Sequence, residues 1–238
     1  MIYIGCHLSV TNGYEAMGRT MRDFGGSTFA YFTRNPRGGK SKEIIPDDAR
    51  ALNSLLKENS FGPLVAHGSY TMNLCAANET TRQNGLDMFT QDLKRMEYFP
   101  GNFYNFHPGA HTGQGAEKGI ELIAKALNDH LFSEMRTTVL LETMAGKGTE
   151  MGRSFEEMRK IIDRVELKEK LGVCLDTCHI WDAGYDIVND LDGVLQRFDD
   201  VIGLDRLYAV HFNDSKTLAA RTKTDTKSSD RVSSAWKR

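Results

Sequence analysis

The sequence places six histidines, His7, His67, His107, His111, His179 and His211, together with Glu142 and Asp176, at or just after the ends of short apolar runs. Imidazole nitrogen mixed with carboxylate oxygen is a ligand set suited to zinc, with manganese or iron as rivals; magnesium favours oxygen alone. A carboxylate has two oxygens, so one residue can join two ions. Two metals about 3.5–4 Å apart can activate a water and stabilise the leaving oxygen of a phosphodiester. This residue set points to metal-dependent hydrolysis of a phosphate ester. A single histidine more often serves as a hydrogen-bonded structural group. Convergence from separate strands is what turns the reading toward ligands.

The elements that would bring these side chains together are seven apolar or β-branched runs, at 2–8, 27–33, 63–70, 102–109, 137–144, 171–179 and 207–214. Each is bounded by turn signals. Helical periodicity lies between them, with Asn78 as a candidate N-cap and Ser154 followed by Glu157 as a capping-box pattern. Alternating strands and helices imply parallel strands joined by right-handed crossovers. Their apolarity on both faces suits buried parallel strands. A TIM barrel builds its site from the C-terminal ends of many strands, whereas an open doubly wound sheet gathers ligand groups at one switch point. His7, His67, His107, Glu142, Asp176 and His211 each fall near the end of a different run, which favours the barrel. No GxGxxG follows the first run, which weakens a dinucleotide-binding alternative.

The bulk properties bound the answer further. At 238 residues and 40% hydrophobic content the chain suits one soluble domain. It contains no apolar run of membrane-spanning length, and its N-terminus lacks the basic and apolar regions of a signal peptide, so a cytoplasmic protein is expected. Four cysteines in a chain this long do not make a disulfide framework, and Cys174 and Cys178 are not at CxxC spacing. Net charge is −2, which argues against a uniformly basic nucleic-acid-binding surface without excluding DNA as substrate. Residues 217–238 hold six basic residues against two acids, so this tail is +4 and the remainder −6.

Several stretches are more specific than the pattern. "HGSYTMNL" (67–74), "NFHPGAH" (105–111), "LLETMAG" (140–146), "GVCLDTCH" (172–179) and "HFNDSK" (211–216) follow one another in an order that resembles the endonuclease IV family of apurinic/apyrimidinic endonucleases. These are xylose isomerase-like TIM barrels. The resemblance implies a trinuclear zinc enzyme that cuts double-stranded DNA on the 5′ side of abasic sites and leaves a 3′ hydroxyl. By motif, His67 and His107 would hold a first zinc, and Glu142 would bridge it to a second and stand as the catalytic carboxylate. Asp176 and His211 would serve the second ion and His179 a third, so that the LDTCH turn serves two metals at once. Cys178 would lie off to one side. Arg37 and Tyr70 match positions implicated in entering the duplex at the lesion, where flipping is cheapest because the base is already missing. Thr71 stands where many members carry a larger apolar residue. Arg37, Lys40 and Lys42 read equally well as a solvated basic loop, and Tyr70 as an ordinary strand-end aromatic.

The resemblance stops near Lys216. An eighth strand, the last helix, an Asp-x-His pair for the third zinc and a late Glu ligand cannot be placed. The expectation is therefore a barrel domain over residues 1–216 and a basic, Ser/Thr-rich, disordered tail over 217–238, with eight Ser or Thr in 22 residues. One or two zinc ions are expected, with activity impaired by the missing ligands. Two other functions compete. One is a sugar isomerase-like barrel enzyme, though such sites lean on carboxylates and lysine rather than imidazole. The other is an inactive DNA- or metal-binding remnant. No GxSxG context supports a serine hydrolase. Oligomeric state is not encoded legibly.

Overall fold

The computed structural model describes residues 2–215. Seven strands form one parallel sheet in sequence order: β1 (His7–Leu8), β2 (Ala30–Phe32), β3 (Val65–His67), β4 (Phe103–Phe106), β5 (Thr138–Glu142), β6 (Leu171–Asp176) and β7 (Leu207–His211). The connections carry α1 (Tyr14–Asp23), α2 (Pro46–Glu58), α3 (Glu79–Met96), α4 (Ala116–His130), α5 (Phe155–Asp163), and the pair α6 (Thr177–Asp182) and α7 (Leu191–Val201). This is the wall of a TIM-type α/β barrel, and among the described residues β1 and β7 do not pair. Each expected run contains one of the strands, trimmed at its ends. Ahead of β1 the chain still tracks its neighbour, with Ser27 N donating to Ile4 O and Ala30 N to Cys6 O. The expectations for residues 217–238 lie outside the described residues.

Alternation divides each strand between two environments. Tyr104 and Phe106 of β4 face outward and pack on Phe89 of α3, with ring centroids 5.8 and 5.3 Å apart. These three rings are fully buried, so truncating Phe89 to alanine would cost about 3–5 kcal/mol. Phe103 and Asn105 face the interior. There the Phe103 ring meets Tyr208 of β7 at 5.4 Å. Gly172 of β6 must lack a side chain, because a Cβ would come within 2.1 Å of the Tyr208 ring.

The helices start where local chemistry dictates. Asn78 caps α3 by accepting from Thr81 N, and Ser154 caps α5 by accepting from Glu157 N. The reciprocal half of the capping box is absent, because the Glu157 carboxylate instead accepts from Gly152 N and Arg153 N and ties down the preceding loop. Gly13 offers α1 no side-chain cap. Asp48 of α2 substitutes for it, accepting from Tyr14 N at 2.7 Å and Glu15 N at 2.9 Å. That contact docks α1 on α2, where Gly18 admits Leu52 and Leu55 at close range.

A buried ion pair fixes the loop after β2. Arg34 and Asp92 approach at 2.6 Å, with side chains 2% and 0% exposed. Asp92 also accepts from the hydroxyls of Thr33 and Tyr104, while Arg34 donates to Gly39 O and Met88 O. A buried pair gains little net stability, yet removing one partner strands a charge. Its visible effect is to hold residues 35–39 against α3.

Candidate metal centre

The strand ends place the site. His67, Glu142, Asp176 and His211 are the last residues of β3, β5, β6 and β7, and His107 follows β4 by one residue. Register staggers them: His67 pairs with Asn105, Asn105 with Leu140, and Leu140 with Gly172, so Glu142 stands two residues higher, beside Cys174. Asp176 and His211 pair with each other one further step up. Buried Glu142 thus sits at the centre with imidazoles around it, and buried Asp176 stands beside it.

Glu142 is 1% exposed. Its Oε2 lies 3.0 Å from His67 Nε2 and 3.5 Å from His107 Nε2, and its Oε1 lies 3.3 Å from His211 Nδ1 and 3.5 Å from His179 Nδ1. Each oxygen therefore serves a different pair of histidines. Burial works to raise the Glu142 pKa, but hydrogen bonds from His107, His211 and His67 outweigh it and hold the carboxyl well below its usual range. Burial likewise pulls His211 down, yet Glu142 and Asp176 overcome this and raise it. At His7 the balance goes the other way: burial, with repulsion from His67 and His211, lowers the pKa to about 4.

Backbone carbonyls set which nitrogen each ring presents. His67 Nδ1 contacts Gly68 O at 2.7 Å, leaving Nε2 toward Glu142. His179 Nδ1 contacts Thr143 O at 2.8 Å. Asp176 is the N-cap of α6 as well as a strand end: its Oδ1 accepts from His179 N at 2.9 Å, and its Oδ2 accepts from Asn213 Nδ2 at 2.6 Å. The LDTCH segment expected as a turn is therefore a strand end running into the first turn of a helix. Residues three apart share a face there, which puts Asp176 and His179 side by side.

Among the described residues two groups have the composition and spacing to hold a metal ion, His67–His107–Glu142 and Glu142–Asp176–His211, each with its candidate ligand atoms within 4.8 Å of one another. The donor sets suit zinc. With zinc bound, three protein donors per group would leave a fourth position for water, as catalytic rather than structural zinc sites do. A buried acceptor with no protein partner, Asn105 Oδ1, lies in the same interior layer. His179 falls outside both groups. Cys178 also falls outside both groups, with Ser215, Asp182, Asp176 and Lys147 acting on its thiol.

The two expected DNA-contacting residues lie on the rim. Tyr70 is 55% exposed, and its ring stands 5.2 Å from His107 and 5.5 Å from His67. Arg37 is exposed on the loop after β2. That loop and the Tyr70 segment form one unit, since Pro36 O accepts from Tyr70 N at 2.9 Å and from Ser69 Oγ at 3.0 Å. Sequence reasoning overlooked Asn105, Asn213 and Thr143, which hold the candidate ligands. The signal was present: Asn105 and Asn213 lie two residues from His107 and His211 within the same quoted motifs.

Comparison with known proteins follows the same lines. The family model described as xylose isomerase-like TIM barrel matches residues 19–232. A protein of Alkaliphilus oremlandii named probable endonuclease 4 is 57% identical over 216 residues, covering 91% of this chain and 77% of that protein. The crystal structure of endonuclease IV from Thermus thermophilus superposes with a TM-score of 0.81 at 30% identity, covering 92% of this chain and 78% of that one. A D-tagatose 3-epimerase-like protein matches with a TM-score of 0.62 at 14% identity, over 89% of this chain and 76% of that one, a likeness of fold alone.

Proposed function

The chain belongs to the endonuclease IV family of xylose isomerase-like TIM barrels, and from that membership we propose that it is a zinc-dependent hydrolase of abasic-site DNA, cutting 5′ to the lesion and leaving a 3′ hydroxyl. The observation that carries this reading is the shared carboxylate of Glu142, one oxygen toward His67 and His107 and the other toward His211. Two ions are proposed, one to be held by His67, His107 and Glu142 and the other by Glu142, Asp176 and His211, with His179 standing beside them. Zinc in such a site acts as a Lewis acid toward phosphate and makes hydroxide available near neutral pH.

The chain's own residues supply the rest. Buried Glu142 and Asp176 offset the ions' charge. The carbonyls of Gly68 and Thr143 aim the rings of His67 and His179. Tyr70 stands over the site, where its ring can stack on exposed DNA bases or sugar, and Arg37 offers a cation to a backbone phosphate. Double-stranded DNA with an abasic site is the proposed partner. The imidazole-rich donor set is what separates this reading from a sugar isomerase, whose fold it shares.

The test is incubation of the zinc-loaded chain with a duplex carrying one tetrahydrofuran abasic analogue and with the matched intact duplex. Strand cutting on the 5′ side of the analogue alone, abolished by a chelator, is the expected result. Equal nicking of both duplexes, or none, would overturn the assignment.

A further inference from the structure

Glu142 can serve two ions only if its carboxylate plane is held, and the group that holds it is not a ligand. Asn105 is fully buried in β4. It pairs in register with His67 on one side and Leu140 on the other, directly below the site, and its main-chain oxygen accepts from Gly68 N. Its Nδ2 donates to Glu142 Oε2, the oxygen that also faces His67 and His107. The strand backbone therefore fixes the amide, and the amide fixes the carboxylate.

We infer that Asn105 is a positioning residue that locks Glu142 in its bridging orientation and so sets the affinity of both candidate metal groups at once. The inference rests on the metal-site reading above. A neutral amide fits this role, since it donates to the carboxylate without neutralising the charge an ion needs, as a lysine or arginine would. Its other end points the same way. Asn105 Oδ1 is buried with no partner in the protein, and leaving a buried acceptor unpaired is costly. What the amide contributes at this position is therefore its donor to Glu142. Asn213 makes the complementary contact, donating to Asp176 Oδ2, but Asp176 belongs to one group only. The two asparagines should therefore differ in reach.

Zinc affinity, measured by competition with a chromophoric chelator, separates the cases. Asn105→Ala and Asn105→Leu are expected to weaken both zinc-binding steps about 10- to 100-fold, the usual cost of losing a residue that orients a ligand. Asn213→Ala should weaken one step only. Asn105→Ser, which keeps a donor, should recover part of the loss. Circular dichroism and melting of the metal-free variants establish that they fold, and the Leu variant avoids leaving a cavity. A folded Asn105 variant that binds both ions within about twofold of the parent, or loses affinity for one ion alone, overturns the inference. Failure of the parent itself to take up zinc would instead overturn the underlying metal assignment.

Discussion

His67 Nε2 lies 3.0 Å from one oxygen of Glu142, while His211 Nδ1 lies 3.3 Å from the other. These rings come from β3 and β7, and stack with centroids 5.7 Å apart. One carboxylate therefore links strands that lie four apart in the sheet. Replacing it should disable both groups: Glu142→Gln, which keeps the shape and removes the charge, is expected to bring zinc content close to zero and to lower cleavage of abasic DNA at least ~100-fold, beyond the usual cost of an orienting residue. Elemental analysis beside a cleavage assay checks this. Retention of one ion would show that the carboxylate is not shared.

The single-group ligands should behave differently. His67→Ala removes a donor from the first group and His211→Ala from the second. Each should lower the zinc content by about one ion while leaving the other group occupied. Mass spectrometry under native conditions reads the count directly.

Zinc uptake should also release a proton. Glu142 and Asp176 raise the His211 pKa above 6.5 by stabilising its charged form. Metal-free protein therefore holds a proton there to higher pH than an ordinary histidine does, and zinc must displace it. Apparent affinity should fall as pH drops through this raised value and level off above it. Calorimetric titration in two buffers of different ionisation enthalpy should show that release, and His211→Ala should diminish it. A parent enthalpy independent of buffer would contradict the prediction.

Arg37 tests the rim. A solvent-exposed arginine contacting one phosphate contributes about one unit to the salt dependence of DNA binding. Arg37→Ala should reduce the slope of log affinity against log salt by about one and leave zinc content unchanged. Fluorescence anisotropy over a salt series measures it.

The loop that carries Arg37 depends on the buried pair beneath it. Asp92→Ala leaves Arg34 charged and enclosed, with a cost of about 3–5 kcal/mol. A lower urea midpoint for metal-free protein is the expected outcome. A change below about 1 kcal/mol would place the pair's energy elsewhere.

The sequence made the strand ends legible because buried parallel strands are continuous apolar runs, and a polar residue at the end of one is conspicuous. That is how His67, Glu142, Asp176 and His211 could be named as a converging set. The β-strand limits were less legible: the expected run 2–8 contracts to His7–Leu8, since pairing depends on a neighbour's register. The LDTCH segment was misjudged as a turn because a six-residue helix has too little periodicity to show. Asn105 escaped notice because its importance lies in a contact with a residue 37 positions away, and nothing local distinguishes it from an ordinary strand asparagine. Asp48 was hidden for the same reason, capping a helix it does not belong to.

The most direct test of the shared-carboxylate account is anomalous diffraction at the zinc edge from crystals of the zinc-loaded chain. The account predicts two peaks flanking Glu142, about 3.5–4 Å apart, one beside His67 and His107 and the other beside Asp176 and His211. A single peak, or zinc bound away from Glu142, would contradict it.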